Sequence, residues 1–141
     1  MSTKAIQVKE ALETKLKALA LVVSENVQVT YGFPTQSPER KWACVHEVRW
    51  RDAEWATNRS RNEVFGVAVT FNVQLLAGNA RDAEAAVIKY AAAFEDALKD
   101  NPGLGGLCIT TNYEPRQLRS WPIADGYEAQ LDTEVVATCR P

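Results

Sequence analysis

Histidine is nearly absent from this chain: His46 is the only one among 141 residues. A Ser-His-Asp or Cys-His site would have to be built on it. Cys44 lies two positions away on the same strand phase, Cys108 and Cys139 lie far off in sequence, and no CxxC spacing occurs. A structural zinc needs four such ligands, so no metal and no cofactor is expected. In a reducing compartment the three cysteines read as small buried apolar residues. Long apolar runs are missing as well. No stretch approaches the roughly 20 residues that span a bilayer. The N-terminus, MSTKAIQVKEALETKLKALALVV, carries charges through its apolar positions and lacks a signal-peptide core. A membrane is therefore not an expected partner, and folding in a cytoplasm is expected. Charge of one sign is lacking too. The formal net charge of -2 gives no global drive toward nucleic acid, so no sequence-specific nucleic-acid partner is expected.

What remains is a globular composition, 46% hydrophobic and 24% charged, read as one domain over residues 1–141. The stretch that organises it is Arg61 to Gly78. Phe65, Val67, Val69, Phe71, Val73 and Leu75 alternate with Val64, Gly66, Ala68, Thr70, Asn72 and Gln74. Period-two alternation with β-branched and aromatic enrichment predicts a strand with one buried face. It is far longer than the usual strand of about 5–6 residues. It either anchors the middle of a sheet or extends beyond its own core to meet a partner.

Before this strand, the spacing of Val8, Leu12, Leu16, Leu19 and Val23 predicts an amphipathic helix from Thr3 to Val23, ended by Asn26. A short strand, Val27 to Tyr31, leads to a proline-bearing loop, Gly32 to Lys41. Trp42 to Arg51 predicts a strand with Trp42, Cys44, His46, Val48 and Trp50 on one face. Asp52 to Asn62 reads as a polar connection. After the long strand the period changes to about 3.6, and Ala80 to Lys99 predicts a helix with a stripe of Ala83, Val87, Tyr90, Ala91, Phe94 and Leu98. Asn79 or Asp82 can cap it, and Asp100-Asn101-Pro102-Gly103 ends it. A short strand at Leu107–Thr111, a long irregular segment from Asn112 to Asp125 with Pro115 and Pro122, and a final strand from Tyr127 to Cys139 complete the chain. The order α-β-β-β-α-β-β predicts an α+β fold, a mainly antiparallel sheet with two helices packed on one face.

No spacing of carboxylates singles out an acid/base pair. Arg49, Arg51, Arg59 and Arg61 are the one basic concentration, interleaved with Asp52, Glu54 and Glu63. That mixture suits salt bridges between subunits better than a nucleic-acid groove.

The pattern as a whole resembles the tail terminator (tail completion) proteins of long-tailed bacteriophages. The resemblance rests on the element order and on two short motifs. These are Arg61-Asn62-Glu63 at the opening of the long strand and the Gly103-Leu104-Gly105-Gly106-Leu107 turn after the alanine-rich helix. It implies a non-enzymatic structural protein of the virion, assembled in the host cytoplasm. Its partners would be itself, in a ring that is commonly a hexamer, together with the tail tube protein and a head-completion or connector protein. The ring would cap the head-proximal end of the tail tube, stop its polymerisation and offer the head-attachment surface. Subunit-interface candidates are then Arg49, Arg51, Arg59, Arg61 and Glu63, with Glu128 and Asp132 as acidic counterparts. Partner-docking candidates are Phe33, Arg40, Arg116, Arg119 and Trp121. Trp42, Trp50 and Trp55 crowd one hairpin without counterpart in the resemblance. The alternatives are another head–tail connector or small virion protein, or a small-molecule-binding domain using the Trp42–His46–Trp50 face.

Overall fold

A computed structural model describes residues 3–35, 39–51, 54–55 and 61–140. The elements are α1 (Ala5–Ala18), α2 (Ala20–Ser24), β1 (Gln28–Tyr31), β2 (Lys41–Trp50), β3 (Glu54–Trp55), β4 (Arg61–Leu76), α3 (Ala80–Asp100), β5 (Thr110–Ile123) and β6 (Gly126–Cys139). The sheet runs β1-β2-β4-β6-β5, with β3 paired to the start of β4. The long strand is thus its middle. Every pairing is antiparallel except that of β1 with β2. The α+β expectation holds.

The alternation along β4 works as read. Phe65, Val67, Val69, Phe71 and Val73 are buried in one core with Ala129, Leu131, Val135 and Ala137 of β6. Onto that face α1 packs over β1 and β2, and α3 packs over β4, β5 and β6. The small Ala83 and Ala91 of α3 are fully or nearly buried, which lets the helix lie close, and Phe94 reaches Phe71 at 6.0 Å between ring centroids. Asn79 caps α3 by accepting from the Asp82 N–H at 2.9 Å. Asn26, with φ of 55°, turns the chain after α2.

Three expectations are corrected. The N-terminal helix is not continuous, because Leu19 takes extended backbone (φ -64°, ψ 129°) and restarts the chain as α2. Ala18, Leu19 and Ala20 are good helix formers, so packing imposes the break. It lowers Val22 into the core, where its carbonyl accepts from the Val27 N–H at 3.0 Å, and it leaves Val23 65% exposed. In β2 the two-face assignment fails halfway. Val45 pairs with Val69 but Val48 pairs with Val67, so a β-bulge inserts one residue. Beyond it the phase flips, and Val48 and Trp50 join the core side while His46 stays with Cys44 on the other.

The third correction concerns Asn112 to Asp125. This segment is not irregular. Most of it is β5, paired with β6 from Thr110↔Thr138 to Ile123↔Gly126, and the strand begins at Thr110, later than the Leu107–Thr111 expected. Its prolines fit because β5 is the last strand of the sheet. Proline cannot donate to a ladder, and edge strands and bulges are where its missing N–H is tolerated. Pro115 stands at a bulge, where Pro115↔Thr133 is followed by Gln117↔Asp132. Limited trypsin treatment of the folded protein should therefore cut after Arg116 and Arg119 no faster than the whole chain unfolds. Rapid nicking there with the rest intact would contradict the strand.

Candidate functional site: the open face of the sheet

The sheet face turned away from the helices carries the polar half of each alternation. The two bulges abut one row of paired residues that crosses four strands, Val45–Val69–Thr133–Pro115. Each bulge places two consecutive residues on the open face, His46 and Glu47 from β2, Arg116 and Gln117 from β5. Between these walls, over the small floor residue Ala68, lies an open depression of about 450 Å³. A bulge re-aims side chains and bends its strand, which accounts for walls at both sides of flat central strands.

Glu134 is the most buried charge here, 8% exposed. It accepts from Arg116 at 2.6 Å and from Arg51, and both guanidiniums also reach Glu114, at 3.4 and 3.3 Å. Burial alone would raise the Glu134 carboxyl, but the hydrogen bonds and charges of Arg116 and Arg51 outweigh it and hold it below the ordinary carboxylate range. Directly beneath it is Gly66, where a Cβ would come within 2.4 Å of the Glu134 carboxyl carbon. The missing side chain is what gives the carboxylate its place.

Next along the face, Thr70 donates to Asp132 at 3.0 Å. With its own proton so used, its hydroxyl accepts from the Nε2–H of His46 at 2.8 Å. Phe33 covers the imidazole at 4.2 Å between ring centroids. Burial lowers the His46 pKa, partly offset by Asp132 and Glu47. Thr70 stands between histidine and carboxylate, whereas nucleophile activation needs the histidine in the middle. Farther on, Asn72 donates to Gln130 at 3.2 Å and Gln74 to Glu128 at 3.2 Å. Cys44 is buried, and burial pushes its thiol up to about 12. Cys108 and Cys139, distant in sequence, come to 3.5 Å between sulfurs inside the core. Among the described residues no three His, Cys, Asp or Glu side chains cluster as a metal site, and no helix is long and apolar enough to cross a membrane.

The interface candidates whose side chains are described have partners within the chain. Arg49 pairs with Glu47 at 2.7 Å. Arg51 holds Glu134, and Asp132 is shared by Thr70, Arg119 and Gln130. Glu63 is not on the depression. It accepts from the Lys4 N–H and from Trp50 Nε1, each at 3.0 Å, so it ties β4 to the start of α1. Arg59 and the side chain of Arg61 lie outside the described residues. Of the docking candidates, Phe33, Arg116 and Arg119 gather on the depression. Arg40 and Trp121 sit away from it, near the level of the Gln74–Glu128 pair but toward opposite edges of the sheet. Sequence reasoning missed Glu134, Thr70 and Gly66. The one signal for them was the even phase of β4 and β6, which placed all three on the open face without pairing them.

No protein-family model matches this sequence, and no curated protein matches it either. Its fold is shared with a chain of a solved structure, the "Virion of native gene transfer agent (GTA) particle". The identity is 13%, the TM-score 0.53, and the match covers 94% of each chain.

Two outcomes follow for stability. Glu134, held low in the native state, contributes stability that is complete above the ordinary glutamate pKa of about 4.3 and is lost as pH falls through its native value. His46, held neutral by burial, contributes above about 6.5 and loses that contribution as pH falls below it. Urea melts across pH should show two declines on acidification. Glu134→Gln should lower neutral-pH stability by about 1–3 kcal/mol and shrink the acid decline. Gly66→Ala should cost a similar ~1–3 kcal/mol through overpacking against the clamp. A Glu134→Gln protein with an unchanged acid limb would show that the clamp carries no such linkage.

Proposed function

We propose that this protein is a tail terminator, a non-enzymatic virion protein that forms a ring on the head-proximal end of a tail tube. There it ends tube growth and receives the head. The observation that carries this is the fold shared with a chain of a gene transfer agent virion over 94% of both chains. The resemblance of the element order and of the Arg61-Asn62-Glu63 and Gly103–Leu107 motifs to those of tail terminators supports the finer reading. The open face supports a docking role. Arg116 and Arg119 keep 46% and 48% of their side chains exposed while anchored to Glu134 and Asp132. Such anchored guanidiniums can still offer N–H donors to a partner's carboxylates at little ordering cost. In this reading the depression with Phe33, Arg116 and Arg119 meets a tube or connector protein. Arg49, Arg51 and Asp132 hold its shape.

A small-molecule site on Trp42, His46 and Trp50 has less support, because the β2 bulge sends Trp50 to the opposite phase. The depression is walled by paired charges, where ligand pockets are mostly apolar.

Particles assembled without this protein should carry overlong tails that never join heads. Supplying the protein should restore normal length, and Arg119→Glu should restore length control less well while leaving the fold unchanged by circular dichroism. Normal tails of normal length, joined to heads in its absence, would overturn the assignment.

A further inference from the structure

Of the three free cysteines, two face each other. Cys108 and Cys139 bring their sulfurs to 3.5 Å inside the core, across 31 residues of sequence. Cys44 stands apart, on the sheet face turned away from the helices, opposite Thr70 of β4. Both members of the pair are held by the backbone around them. Cys139 lies at the end of the straight β4–β6 ladder, paired with Glu63. Cys108 closes the turn after α3. Its N–H donates to the Gly103 carbonyl at 2.9 Å, and the next N–H, of Ile109, donates to the Thr138 carbonyl at 2.7 Å. A disulfide places its sulfurs at about 2.05 Å. The fold brings the thiols face to face, and a sulfur displacement of roughly 1.5 Å closes the bond.

We propose that Cys108 and Cys139 form a redox-conditional staple: two thiols in a reducing compartment, and a disulfide once the folded protein meets a low-molecular-weight disulfide as oxidant. Cys108 is the entry point, being 7% exposed where Cys139 is 0%. Its thiolate attacks one sulfur of the small disulfide, forms a mixed disulfide and releases one small thiol. The Cys139 thiolate then attacks the Cys108 sulfur and expels the second. Two protein thiols are oxidised, one small disulfide is reduced to two thiols, and the two protons go to those thiols. Burial pushes the Cys108 thiol up to about 12 and raises that of Cys139 as well. Of the charged groups acting on the pair, Lys4 favours both thiolates and Glu63 opposes that of Cys139. The attacking thiolate is therefore scarce at neutral pH, and closure is slow there and quickens as pH rises. The bond fastens the end of β6 to the turn that delivers the chain into β5. At the same corner Glu63 already ties the start of β4 to Lys4. The covalent loop so closed contains all of β5 and β6, which removes freedom chiefly from the unfolded chain. The staple does not depend on the ring reading.

The test treats the reduced full chain with 2-hydroxyethyl disulfide, quenches with acid, and reads intact mass and thiol content. Wild type should lose two of its three thiols and fall in mass by about 2 Da with no adduct. Tryptic digestion after alkylation should yield one disulfide-linked pair of peptides, residues 100–116 with residues 120–141. The urea midpoint of the oxidised protein should lie above that of the reduced protein and return to it on treatment with a phosphine. Cys44→Ala should give the same linked pair. Cys108→Ala, or Cys139→Ala where the first does not fold, should give no linked pair and no such mass loss. Wild type that keeps all three thiols, even in urea just below its midpoint, would overturn the staple. So would a bond to Cys44, a bond between chains, or an oxidised form with a lower urea midpoint.

Discussion

The pairing of β4 with β6 is the constraint on which the rest depends. It runs unbroken from Glu63↔Cys139 to Leu76↔Gly126, with no bulge. An unbroken ladder keeps every side chain in phase over its whole length. One phase therefore supplies the floor of the core and the other the floor of the open face. The hairpin that starts β6 is fitted tightly to it. A Cβ on Gly126 would lie 1.8 Å from the Leu75 carbonyl oxygen, so no side chain could stand there. Irregularity is displaced outward to β2 and β5, the neighbours of this pair. Their bulges can bend toward the open face because a straight ladder lies between them.

The polar face holds its charges in pairs that are partly wet. Isolated exposed pairs of this kind contribute little, about 0–1 kcal/mol each. Their effect here is geometric. Arg51 and Arg116 converge on one carboxylate from β2's end and from β5, so Glu134 ties the two bulged strands across the central pair. Fixing β2 and β5 relative to each other is what shapes the depression between them.

The layout was legible where a single periodicity governed a single element. Phe65 to Val73 and Val87 to Leu98 declared their faces because one side of each is apolar throughout. The faces of β6 followed for the same reason, Leu131 and Val135 against Gln130 and Asp132. Legibility failed where tertiary geometry overrode local pattern. The β2 bulge adds no compositional mark at His46-Glu47, and the break at Leu19 falls among good helix formers. Pro115 and Pro122 read as loop residues because the sequence does not say that their strand lies at an edge. At the site, the arginines were visible as a concentration. Their partner Glu134 lies 83 residues from Arg51, and only the sheet register brings the two together.

The bare backbone at Gly66 beneath the Glu134 carboxylate has an evolutionary consequence. The two positions are on neighbouring strands and compete for one volume, so neither is free to drift alone. A relative with a side chain at position 66 would need a shorter residue at 134. Arg51 and Arg116, left with only the more exposed Glu114 as a shared acceptor, would then be freer to vary. Among descendants of this fold, glycine, glutamate and the two arginines should be kept or exchanged as a set, leaving a four-position covariation signal that spans the sheet.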